Sequence, residues 1–217
     1  MQFPNAAKGV KKIYTAEILE LISNIALLVA AVLALVALGS LGADSAGGFL
    51  AGGLGATVLG LGALVLGIIA FFMTLSGINA AKLDEPQFKN ALIALVVGIA
   101  LQIAASCFSN ELVKSLCGSL GNACDLLVTI YIAKGVGALA DKLSNAELSA
   151  KCQNFVKLLT GLWCVAIVLK AVGGFLKNNV ATATIGGIIA IVALVVAIVA
   201  YFIFIGLLKK GAEMLNA

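Results

Sequence analysis

From Ile185 to Leu208 the chain carries no charged residue, and an unbroken apolar run of that length leaves few options. A helix crossing roughly 30 Å of hydrocarbon needs about 20 mainly apolar residues. Inside lipid every backbone amide and carbonyl must be satisfied internally, which only a helix or a closed barrel achieves. Further stretches behave in the same way. Together they predict an all-α integral membrane protein with six transmembrane helices, at about 21–41, 50–76, 90–108, 121–140, 155–176 and 184–208 of a single domain covering residues 1–217. The fourth is the most polar, with Asp125 and Lys134 inside it. Composition agrees: 62% of residues are hydrophobic and 11% charged, against about 25% charged in ordinary soluble domains.

The lysines orient the spans. Lys8, Lys11 and Lys12 precede the first, Lys82 and Lys89 lie between the second and third, Lys142, Lys151 and Lys157 lie between the fourth and fifth, and Lys209 and Lys210 follow the sixth. Only Lys114, Lys170 and Lys177 fall on the other side. Because basic residues stay cytoplasmic, both termini are expected in the cytoplasm, with the chain in a plasma or inner membrane. Short outer connections then make three antiparallel hairpins closed on the outside. The apolar run from Leu21 to Leu38 exceeds the 7–15 residues of a signal-peptide core, so the N-terminal segment is expected to be retained.

Two inner corners look alike. Gly77, Ala80, Lys82 and Leu83 match Gly137, Ala140, Lys142 and Leu143 in spacing. Each is followed by a helix-start pattern, Asp84 with Gln87 and Ser144 with Glu147, in which an oxygen-bearing cap precedes a Gln or Glu by three positions. A fifth helix starting at Ser144 is about 30 residues long, or roughly 45 Å, so its first turns, with Glu147 and Lys151 four apart, project into the cytoplasm. That extension and the N-terminal segment are candidate surfaces for a cytoplasmic partner.

The chain has no His and all its basic residues are Lys. That removes Ser-His and Cys-His nucleophile pairs, His-bound metals and bidentate guanidinium clamps. No phosphate-binding glycine loop is present, and no basic run interleaved with aromatics suggests nucleic acid. Neither an enzyme nor a cofactor or metal is expected.

What remains are intramembrane polar groups, which are expensive in lipid and usually face a bundle interior or water. On the fourth span Asp125 and Thr129 share a face, with Lys134 beyond; Gln102 and Ser106 do likewise on the third, and Lys170 lies near the end of the fifth. Glu17, Glu20 and Asn24 form a stripe at the inner mouth of the first span, a candidate vestibule. Gly48, Gly52, Ala56 and Gly60 offer a helix-packing face on the second, to another helix of the chain or to a second protomer. Five cysteines include Cys107, Cys117 and Cys124 near an expected outer loop at 109–120, where a disulfide between Cys117 and Cys124, or one using Cys107, could form. The expected function is a homo-oligomeric channel or pore subunit passing ions or small solutes, its fourth span lining the path. The alternatives are a scaffold that assembles in the bilayer without transport, and a small secondary transporter with its site near Lys134–Gly137.

Overall fold

The computed structural model describes residues 2–41, 46–175 and 180–216, with side chains described outside 39–52, 166–191 and 193–194. Among the described residues it has six helices: α1 (Pro4–Leu41), α2 (Ala46–Ala81), α3 (Gln87–Cys107), α4 (Glu111–Lys142), α5 (Ala146–Phe175) and α6 (Val180–Asn216). Five of them contain described stretches long and apolar enough to cross a membrane, all but α5, whose side chains are described only to Val165. By length and composition these are the helices of a membrane protein. Their surfaces agree, because large apolar side chains are exposed along α1 from Ile22 to Leu38, α2 from Leu54 to Phe72, α3 from Ile93 to Ile103 and α6 from Val192 to Ile203. Water would not tolerate that much contiguous apolar surface, whereas lipid requires it.

The chain divides into two compact units. One is residues 11–77, most of α1 and α2. Within it Lys12 Nζ donates to Ser76 Oγ at 2.7 Å, and Ser23 Oγ donates to the Ala63 carbonyl at 2.7 Å. A β-carbon on Gly55 would lie 3.4 Å from Leu33. As numbers rise along α1 they fall along α2, so the two helices run antiparallel. Buried Ala30, Ala37, Ala63 and Ala70 let their backbones approach.

The other unit is residues 1–10 and 78–217. Its largest buried side chains are Val10, Ile78, Phe88, Ile132, Val136, Leu139, Cys152 and Leu208. These gather the start of α1, the α2–α3 corner, the α4–α5 corner and the end of α6 into one core. Glycines set the spacing: a β-carbon on Gly135 would be 2.6 Å from the Phe88 ring, one on Gly211 2.7 Å from Val136, and one on Gly137 3.0 Å from Cys152. A β-carbon on Gly211 would also lie 3.7 Å from Val10, so the two ends of the chain meet.

Polar groups fasten this core. Asp84 does not cap α3. Its carboxylate instead accepts from the Ala6 amide at 2.7 Å and Asn5 Nδ2 at 3.1 Å, satisfying one otherwise free amide in the first turn of α1. Buried Glu85 pairs with Lys142 Nζ at 2.6 Å, and the same ammonium lies over the Phe3 ring, 5.7 Å from its centroid. Ser144 is likewise not the cap of α5. It takes φ 57°, with its amide donating to the Asp141 carbonyl and that of Asn145 to the Ala140 carbonyl, which closes α4. Asn145 Oδ1 then accepts from the Leu148 amide and starts α5.

Two expectations at the far end fail together. Residues 111–120 are not a loop but the first turns of α4, started by Asn110 Oδ1 accepting from the amides of Leu112 and Val113, with Glu111 in the first turn. Cys117 and Cys124 are therefore two turns apart on one helix, about 10 Å in rise. A disulfide needs α-carbons within about 7 Å, and all five cysteines are free.

Candidate functional site

The intramembrane polar residues of α3 and α4 come together. Gln102 Nε2 donates to Asp125 Oδ2 at 3.1 Å. The contact depends on two glycines. A β-carbon on Gly98 would lie 3.0 Å from Cys124 Cβ, 3.4 Å from Asp125 Oδ1 and 3.7 Å from the Gly121 carbonyl. One on Gly121 would lie 3.0 Å from Gln102 Cγ and 3.6 Å from the Gly98 carbonyl. Two bare backbones thus touch, and the polar residue four positions after each glycine packs over the glycine opposite. Both glycines are buried, while Asp125 and Gln102 are exposed.

Around them Val97 and Ile103 on α3 and Leu120 and Leu127 on α4 are exposed, and so are Ser119 and Asn122 on α4. The hydroxyls are turned to their own helices, Thr129 Oγ1 donating to the Asp125 carbonyl at 3.3 Å and Ser106 Oγ to the Gln102 carbonyl at 3.0 Å. Such back-bonding silences a hydroxyl in lipid.

Lys134 stands elsewhere. It is nine positions from Asp125, which turns it to the opposite side of α4, and its ammonium lies 5.8 Å from the Tyr131 ring centroid on an exposed face. Leu127 is the last exposed large apolar residue of α4, so Lys134 sits almost two turns beyond it, toward the Lys142 end. α4 runs unbroken through Lys134–Gly137.

The remaining expected residues fall in other places. Glu17, Glu20 and Asn24 lie on α1 in the other unit, the first half-buried and the other two exposed. Of the α2 face, Ala56 and Gly60 are half-buried and a β-carbon on Gly60 would meet nothing within 4 Å, while Gly48 and Gly52 lie outside the residues with described side chains, as does Lys170. The Glu147–Lys151 ion pair forms at the start of α5. The hydrogen bond to Lys151, then its charge and that of Lys210, hold the Glu147 carboxyl below the usual carboxylate range.

The Gln102–Asp125 partnership was not anticipated, although its signal is in the sequence. Glycine precedes the polar residue by four positions on both of two consecutive spans, at Gly98 and Gln102 and at Gly121 and Asp125. In an antiparallel pair that spacing sets each polar side chain against the other helix's gap. Among the described residues no group of three acidic, Cys or His side chains is placed to hold a metal ion. No family model, curated protein or solved structure matches the chain.

Proposed function

We propose that the protein is a subunit of an oligomeric channel or pore that passes ions or small solutes. The observation that carries this reading is the exposed Gln102–Asp125 pair among exposed Val97, Ile103, Leu120 and Leu127. A carboxyl facing hydrocarbon is unfavourable, and such groups face a bundle interior or a water-filled path. Gln102 and Asp125 are both exposed on the α3–α4 pair. Copies arranged around that face place the pair along a shared aqueous route. The unbroken course of α4 favours a pore over a secondary transporter, whose sites are usually built on interrupted helices.

In this reading all six helices cross the membrane as three hairpins closed on the outside. Both termini are cytoplasmic, in a plasma or inner membrane. The meeting of Val10 and Gly211 supports placing the termini on one side, and the lysines grouped near the inner corners support calling that side the cytoplasm.

The test is the protomer count in lipid nanodiscs by native mass spectrometry, together with potassium and small-dye efflux from proteoliposomes. A discrete ring with efflux is expected. A monomer without efflux overturns the proposal, and a ring without efflux replaces it with a membrane scaffold.

A further inference from the structure

Among the described side chains Asp125 is isolated electrostatically. On α4 it is the only charged residue between Lys114 and Lys134, and α3 has none between Lys89 and its end at Cys107. On α5 the charged side chains described stop at Lys157, and on the described part of α6 they begin at Lys209. Across the Gly98–Gly121 crossing the other titratable side chain is the neighbouring Cys124 thiol. No lysine is therefore placed to neutralise the carboxylate among the described residues, and its hydrogen-bond partner there is a neutral carboxamide.

Depth adds to this. Asp125 is about 15 Å of helix from Gly135, at 1.5 Å per residue, where Phe88 and the packed core begin. With the hydrocarbon taken to begin at that level, a layer of roughly 30 Å has its midplane near Asp125. A bare charge at the midplane with no counter-ion is the costliest arrangement a span can hold. None of the described side chains supplies a counter-charge, so the one considered is taken from solution.

Two such partners are chemically available, a proton and a metal cation. Hard cations gather six or more oxygen ligands. Even with the Thr129 and Ser106 hydroxyl oxygens, which donate to their own helices but keep lone pairs, the Asp125 carboxylate and the Gln102 amide oxygen bring one copy's side-chain oxygens here to at most about five, short of that number. A proton needs one oxygen. Gln102 also serves both protonation states. Its NH2 donates to the carboxylate as observed, and a half-turn of the amide offers Oε1 to the O–H of the acid. The proton adds to one Asp125 oxygen and leaves from it, with no other bond made or broken.

We propose that the Gln102–Asp125 pair is a reversible proton-binding site at the middle of the membrane, and that the species this pore passes is the proton. The second clause rests on the pore reading; the site itself does not.

The experiment uses the full-length protein in nanodiscs, treated with dicyclohexylcarbodiimide, which enters lipid and couples to carboxyls only in the protonated form. Adducts are mapped by peptide mass spectrometry at several pH values, with and without excess sodium. Modification of Asp125 that falls as pH rises, and that sodium does not prevent, is the expected result. Sodium protection overturns the proposal in favour of a metal cation, and an unmodified Asp125 alongside a modified carboxyl elsewhere overturns the site. Separately, proton uptake into liposomes is compared between wild type and Asp125→Asn, which keeps size and hydrogen bonding. Loss of proton uptake with an unchanged protomer count supports the proton as the passing species, and unchanged uptake overturns that clause. Labelling without any efflux in the wild type leaves the site standing and removes the pore, so the two failures are told apart.

Discussion

Cys152 shows what burial does to one residue. It is enclosed at the foot of α5, with only 1% of its surface exposed, beside Gly137 of α4. Burial pushes its thiol from 9.0 up to about 11, and the nearby charge of Asp141 pushes the same way. The folded state then holds the thiol proton more tightly than the unfolded chain does. Its contribution to stability is fully present below about pH 9 and is lost as pH rises through about 11, a difference on the order of 2–3 kcal/mol. Thermal unfolding in nanodiscs followed from pH 8 to about 11 should therefore fall more steeply for wild type than for Cys152→Ala. Parallel curves would show that the thiol contributes nothing to the alkaline loss. Lysine titration affects both proteins alike, so the difference between them isolates Cys152. For the same reason maleimide at neutral pH should modify exposed Cys107 and spare Cys152.

At the scale of elements, the α3–α4 pair is governed by two missing side chains. Gly98 and Gly121 let the backbones touch, and no hydrophobic force drives helices together in lipid, so close van der Waals contact and interhelical hydrogen bonds must do so. Gly98→Ala places a carbon 3.0 Å from Cys124 Cβ, on a helix that cannot step aside without parting Gln102 from Asp125. A loss of about 1–3 kcal/mol is expected from overpacking. Gly62→Ala, which meets nothing within 4 Å, should be neutral or mildly stabilising, because alanine is the better helix former by up to about 1 kcal/mol. Melting temperatures of the two variants check this, and equal effects would mean that the glycine crossing is not what holds the pair. The sequence showed where apolar helices lie, since that depends on runs of residues. It did not show where α4 begins, because residues 111–120 are too polar to read as a span yet are started by Asn110 and Glu111. The caps were misplaced for a related reason. Asp84 and Ser144 have the chemistry of caps, but Asp84 serves the distant start of α1 and Ser144 takes a left-handed backbone. Local pattern cannot reveal a partner 78 positions away.

For the whole molecule, the proposed arrangement in the membrane rests on charge and on how the chain ends meet. The start of α1 is tied to the α2–α3 corner through Asp84, and that corner to the end of α4 through Glu85 and Lys142, while Gly211 of α6 sits against Val136 and Val10. N-terminus, both inner corners and C-terminus thus form one polar and apolar junction. Since Lys8, Lys82, Lys89, Lys142, Lys151, Lys209 and Lys210 lie in its segments, the positive-inside tendency acts on the junction as a whole and not on one loop. Asn110, the turn between α3 and α4, lies at the opposite end of those two helices. In right-side-out vesicles a membrane-impermeant maleimide should therefore modify native Cys107, which is exposed three positions before Asn110. It should leave Gln2→Cys, made in a Cys107→Ser background, unmodified until the vesicles are opened. The reverse pattern would invert the topology, and labelling of both from one side would mean that α1 to α3 cross the bilayer a different number of times. The Gln2 position tests the junction directly because Phe3, its neighbour, lies against Lys142. Glu85→Ala should not change this labelling, even as it loosens the junction by removing the buried partner of Lys142. In the proposed topology the lysines set the orientation collectively, and no single ion pair decides it.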